Sequence, residues 1–172
     1  MSGFLGHREL LLVEDRLATW ERDVLATVRR PRGSWRTLFL TTDRTIWLER
    51  PDGARLLGVE LTAGNGRVEH VDVLDAAGER FARIPRRPGG LTGERFEIFD
   101  GAGAVAGEIS GSGVTQEHTV RDARRTDVAR GSGTEGDRRV SLSPQCSAPL
   151  AAAFVGFNVA YAEWSLRHVA DI

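Results

Sequence analysis

The chain has 172 residues, 41% hydrophobic and 27% charged, which fits a single globular domain spanning 1–172. Its 23 basic and 24 acidic residues leave a net charge of −1, so a global basic field for nucleic acid is excluded and any attraction to an anionic surface must be local. Every basic side chain is arginine, which excludes Schiff-base catalysis and a phosphate-loop lysine, and the single cysteine, Cys146, excludes an intrachain disulfide.

From the N-terminus, the first apolar stretch, 10–13, is too short for a secretory signal, and the expectation is a cytoplasmic protein. Segments 9–13, 24–29 and 35–41 read as strands, the last two joined by a loop at Arg30-Pro31-Arg32-Gly33. A repeat follows over 45–61, 70–86 and 95–111. Steps of 25 residues (46 to 71 to 96) superimpose Ile46, Val71 and Phe96, then Gly53, Gly78 and Gly103, then Val59, Ile84 and Ile109. Within each unit apolar and polar residues alternate at the period of a strand, as in Val71-Asp72-Val73 and Phe96-Glu97-Ile98. The units are broken by Pro51-Asp52-Gly53, by 75–78 and by 100–103. There aspartate can bond the backbone ahead and glycine accepts a positive φ, so three successive hairpins are predicted. The alternating carboxylates Asp72, Glu97, Glu108 and Glu117 are expected to point to solvent. Segments 115–120 and 138–143 read as further strands, with a glycine-bearing loop over 130–137.

The period then changes. Segment 149–169 is rich in alanine, has no proline after Pro149, and follows Ser147, a suitable N-cap, so it is predicted to be a helix. Leu150, Phe154, Val155, Phe157, Val159, Tyr161 and Trp164 occupy every side of its wheel, the pattern of a buried or membrane-embedded helix. A span needs about 20 apolar residues, and Asn158, Glu163 and Arg167 interrupt this segment. No transmembrane segment is expected, and curled hairpins would supply the apolar surround that the helix needs.

These units, of which 96–109 (FEIFDGAGAVAGEI) is the clearest, and the apolar C-terminal helix together resemble the Tubby C-terminal-like superfamily, which includes phospholipid scramblases and plant LURP-one-related proteins. The resemblance covers roughly residues 20–169. It implies a closed antiparallel β-barrel of about 12 strands around a buried apolar C-terminal helix at about 149–169. It further implies a non-catalytic binding or scaffold domain, peripheral to a membrane, whose partner is an anionic phospholipid headgroup or another protein. The lysine-containing cluster with which tubby proteins hold phosphoinositides has no counterpart, since lysine is absent, and the cysteine-rich and membrane-spanning features of scramblases are missing too. A seven-stranded PH-like barrel is the alternative fold, although its terminal helix is normally amphipathic.

Several residues are candidates for chemistry. Arginine forks match phosphate oxygens, and Arg83, Arg86 and Arg87, running into Pro88-Gly89-Gly90, form the favoured anionic-headgroup site. Other arginines cluster at 29–32, 121–125 and 138–139, where Asp15, Glu21, Asp122, Asp127 and Asp137 can offset them on a solvated surface. His7, His70, His118 and His168 lack the spacing of metal ligands, so neither a metal nor a cofactor is expected. Cys146 reads as a small structural residue. No serine sits in a nucleophile elbow, and no catalytic residue is assigned. Asn158 and Glu163, inside the helix, need partners, which strand-end backbone groups or a polar pocket could supply. Trp20, Trp35 and Trp47 are candidates for an apolar docking patch. A small-ligand carrier or enzyme with a pocket at one end of the barrel is the alternative function.

Overall fold

The computed structural model describes residues 6–31, 45–64, 67–88, 93–112, 116–133 and 137–169. Twelve described strands run β1 (Glu9–Val13), β2 (Arg16–Thr19), β3 (Val24–Arg29), β4 (Ile46–Glu49), β5 (Arg55–Gly64), β6 (Arg67–Leu74), β7 (Arg80–Arg87), β8 (Glu94–Asp100), β9 (Val105–Ser112), β10 (Glu117–Asp122), β11 (Asp127–Gly133) and β12 (Asp137–Leu142). Each pairs antiparallel with its sequence neighbours, and β1 pairs with β12 to close the barrel. The helix α1 (Ala148–Val169) follows. The strand expected at 35–41 lies outside the described residues; the sequence reading omitted β2, a four-residue strand, and took for loop the 130–133 part of β11, which pairs with β12.

One device, used five times, curls the sheet. In the turns beginning at Thr19, Arg50, Asp75, Asp100 and Asp122, the first N–H donates to the carbonyl four residues on, and the residue three on donates back. That returning residue is left-handed each time: Arg22 (φ 70°), Gly53 (84°), Gly78 (88°), Gly103 (83°) and Arg125 (63°). Asp75, Asp100 and Asp122 each accept two backbone N–H groups through one carboxylate oxygen. In all five hairpins the register shifts just inside the turn, and the second strand carries one extra residue: Leu25, Leu56, Phe81, Ala106 or Val128. Such bulges bend a strand and raise its twist. Repeated at equivalent places, they turn a meander into a closed wall, and the extra residues are themselves apolar and packed on the core.

The helix fills the interior. Ser147 begins it, its carbonyl accepting the Ala151 N–H at 2.9 Å. Every residue from Leu150 to Glu163 is buried, with Phe154 and Phe157 fully so. Burying such a side chain is worth roughly 1.5–3 kcal/mol, and the wall supplies the partners: Leu10, Leu48, Val59, Val73, Ile84, Phe96, Ile98 and Ile109. Small residues permit the close approach. A Cβ on Gly156 would lie 2.8 Å from a Val73 methyl carbon. Twelve strands and a helix buried on all sides rule out the PH-like alternative. Among the described residues no helix is long and apolar enough to cross a membrane.

Candidate functional site

The two ends of the barrel differ chemically. The five tight turns and the start of α1 lie at one end. The connections after β3, β5, β7, β9 and β11 lie at the other, together with the C-terminal half of α1. Near this second end the apolar inward row of several strands breaks. Arg86 continues the row of Ala82 and Ile84, Glu94 that of Phe96 and Ile98, His118 that of Val120, and Arg138 that of Val140 and Leu142. Between them β9 and β11 contribute glycines. A Cβ on Gly111 would meet the His118 ring at 2.4 Å, and one on Gly131 would meet Asn158 Oδ1 at 2.6 Å. The polar side chains fit inside because their neighbouring strands present no side chain there.

Arg138 is the centre of the cluster. It is 1% exposed. Its Nε donates to Asn158 Oδ1 at 2.9 Å, and its Nη2 donates to the Gln116 carbonyl at 3.1 Å and lies 3.0 Å from His118 Nδ1. Since guanidinium has no acceptor, Nδ1 must accept, which puts the proton of a neutral imidazole on Nε2. Tyr161 lies under the guanidinium at 5.4 Å, and its ring also meets the His118 ring edge-on at 4.6 Å. Among the described residues no carboxylate lies within ion-pair distance of Arg138, and its Nη1 is buried without a partner. Burial consequently lowers the affinity of this guanidinium for its proton.

Glu94 sits across the imidazole. Its Oε2 accepts the Tyr161 hydroxyl at 2.7 Å and faces His118 Nε2 at 3.9 Å, while its Oε1 is 3.3 Å from Arg86 Nη2. His118, then Tyr161 and Arg86, hold the Glu94 carboxyl below the usual carboxylate range against the opposing effect of burial. Burial, reinforced by the Arg138 charge, pushes His118 down, and Glu94 only partly offsets it. Burial and the Glu94 charge push the Tyr161 phenol up, so it remains a donor. Among the described residues Arg86 Nη1 and His118 Nε2 are, like Arg138 Nη1, buried without a hydrogen-bond partner. Three N–H donors from β7, β10 and β12 are thus unsatisfied at one end of the barrel.

A second group anchors the same end. Arg30, just past β3, binds Asp15 at 2.5 Å and Glu163 of α1 at 2.5 Å. Asn158 Nδ2 donates to the Phe154 carbonyl at 2.8 Å. Asn158 and Glu163 therefore find arginine side chains, where strand-end backbone had been the simpler expectation.

Strand alternation separates the three arginines singled out from the sequence. Only Arg86 turns inward. Arg83 lies on the outer wall in a two-bond pair with Asp72, both at 2.7 Å, and Arg87 lies outside on Glu97. Gly89 and Gly90 fall outside the described residues. Asp72 points outward as expected but is 7% exposed, covered by Arg83, Arg80 and His70. Arg121 pairs with Asp127 and Arg139 with Glu9. Trp20 is exposed under Arg139, and Trp47 lies beneath Arg55, whereas Trp35 is outside the described residues. Cys146 is half-buried, and burial raises its thiol to about 11. A groove of about 370 Å³ on the outer wall carries balanced charge, Arg95, Arg121 and Arg125 against Glu97, Glu108 and Asp122. Among the described residues no group of three His, Cys, Asp or Glu side chains could hold a metal. The signal for Glu94, His118 and Arg138 was present in the sequence: each is a polar residue in the parity of its strand's apolar row.

A closed twelve-stranded antiparallel barrel threaded by its C-terminal helix is a tubby-like fold, with a polar cluster at the end where the helix emerges. Among solved structures, the chain is similar to that of a LURP-one-related protein from Arabidopsis thaliana, with a TM-score of 0.59 and 12% identity, over 90% of this chain and 88% of the other. That likeness is one of fold. No family model matches the sequence, and no curated protein does.

Proposed function

We propose that the chain is a non-catalytic binding domain that works at a membrane surface, where it receives the phosphate of an anionic phospholipid headgroup at the polar end of the barrel. One observation carries this reading: among the described residues Arg138 is buried with no carboxylate in contact and an unpaired Nη1, at the same end as the unpaired Nη1 of Arg86. A buried cation is costly unless it is paired, and an incoming anion would supply the counter-charge. Arg83 and Arg87, on the outer face of the strand that carries Arg86, would meet neighbouring headgroups by releasing Asp72 and Glu97.

Flotation with phosphatidylcholine vesicles, with and without phosphatidylinositol phosphate, tests the proposal. Recovery is expected only with the phosphoinositide, and is expected to fall in R86Q and further in R86A/R87A. Equal recovery on both vesicles would refute it, and capture of a protein partner with no lipid dependence would favour the scaffold role. A second reading, an enzyme or small-ligand carrier using this end, draws on the contact of a carboxylate, an imidazole and a phenol in Glu94, His118 and Tyr161. Its mark would be a neutral small molecule that co-purifies with the wild type and is lost in H118A.

A further inference from the structure

We infer that Glu94 is an internal competitor for the ligand: its carboxylate sits on Arg86 Nη2, beside the donors that an incoming phosphate-class anion needs, and must leave Arg86 for that anion to bind at this end of the barrel. This rests on the anion-binding reading above and adds to it the residue that sets the affinity of the site.

The geometry is asymmetric in a telling way. A carboxylate placed solely to neutralise the buried cation would sit on Arg138. Glu94 instead sits beyond the imidazole, with Arg138 on Nδ1 of His118 and the carboxylate facing Nε2. Its two oxygens are shared among Arg86 on β7, His118 on β10 and Tyr161 on α1. The inward charges borne by the strands are Arg86 and Arg138 against Glu94, which leaves one positive charge with His118 neutral, while Glu163 of α1 is paired with Arg30. Among the described residues, the donors of this cluster left without a partner are Arg138 Nη1, Arg86 Nη1 and His118 Nε2. A phosphate, with three or more acceptor oxygens, can take more of these donors than a second two-oxygen carboxylate could. An anion beside Glu94 would meet a like charge in a poorly hydrated setting, where repulsion is strong. The incoming phosphate and Glu94 therefore exclude one another at Arg86.

The test titrates inorganic phosphate into the full chain by calorimetry, and in parallel binds the chain to phosphatidylcholine vesicles with and without phosphatidylinositol phosphate. E94Q keeps an acceptor for Tyr161 but removes the charge, and is expected to bind phosphate or phosphoinositide at least about tenfold more tightly than the wild type. E108Q, an exposed carboxylate on β9, should match the wild type. A gain on vesicles alone identifies the lipid headgroup as the source; a gain with free phosphate as well identifies the phosphate group itself. Should E94Q fail to fold, as judged by its unfolding transition, Glu94→Ser carries the same expectation. Binding by the wild type that is unchanged or weakened in the Glu94 variant overturns the competition and leaves the anion site standing. Indifference of both proteins to phosphate and to phosphoinositide vesicles removes the site and the inference with it.

Discussion

Gly156 offers a quantitative test of the helix inside the wall. A Cβ there would stand 2.8 Å from Val73 Cγ1, 3.2 Å from Val73 Cγ2 and 3.4 Å from Leu57 Cδ2. Val73 is fully buried on β6, between Val59 of β5 and Ala82 of β7, and its branched side chain has little room to turn away. Gly156→Val adds this Cβ and two further methyl groups. Overpacking of a tight core costs about 1–3 kcal/mol, and with the first added carbon already too close, a loss near about 3 kcal/mol is expected. The change in helix propensity from glycine to valine is under about 0.5 kcal/mol and cannot mask it. In a chain of this length the loss corresponds to a fall in Tm of roughly 6–12 °C. Equilibrium urea unfolding followed by tryptophan fluorescence measures it. Val73→Ala deletes the two clashing methyls, so the double variant should recover at least about 1 kcal/mol relative to the sum of the single changes. A G156V protein within about 0.5 kcal/mol of the wild type, with no coupling to V73A, would place this side of the helix in water and refute the packing.

Other outcomes follow from the turns and the titrating groups. Arginine at the left-handed position is strained where glycine is not, so Arg125→Gly should stabilise by about 0.5–1 kcal/mol, while Asp100→Ala, which strips two backbone N–H groups of their acceptor, should cost about 1–2 kcal/mol; urea midpoints report both. Glu94 has a depressed carboxyl in the fold, so its stabilising contribution is fully present above about pH 4.3, the unfolded value, and is lost as pH falls through the lower folded value. Below the pH at which His118, which Glu94 supports, takes up its proton, the stability difference between wild type and E94Q should shrink as pH falls under about 4.3; a difference that grows in that range contradicts the assignment. The Cys146 thiol, raised to about 11, should react with a disulfide reagent at mildly alkaline pH at least about tenfold more slowly than free cysteine, and immediate stoichiometric labelling would show it to be uncovered.

The hairpins were legible because each repeat marks its turn with aspartate and glycine. The turns at Thr19 and Asp122 were not, because arginine occupies their left-handed position and no glycine flags it. Nor was the strand Arg16–Thr19, too short to display a period. The helix declared itself by being apolar on every side. At the site, Arg86 was found among three candidates chosen for clustering in sequence, yet clustering along a strand sends alternate side chains to opposite faces, and Arg83 and Arg87 went outward to acids of their own. Arg138 was grouped with Arg139 as surface charge, whereas the parity of Val140 and Leu142 assigns it to the interior. What no sequence pattern encodes is which inward polar residues meet across the barrel. Glu94, His118, Arg138 and Asn158 come together only through closure of the sheet and the depth of the helix within it.

The central claim, that Arg138, which no carboxylate among the described residues compensates, receives an anion, is tested most directly by a crystal of the full chain grown with tungstate, a heavy tetrahedral mimic of phosphate located by its anomalous signal. Tungstate density within hydrogen-bond reach of Arg138 Nη1 and Arg86 Nη1, with Glu94 turned away from Arg86, is the expected result. Density confined to Arg83, Arg87 or other outer arginines, with the Glu94–Arg86 pair intact, would contradict it.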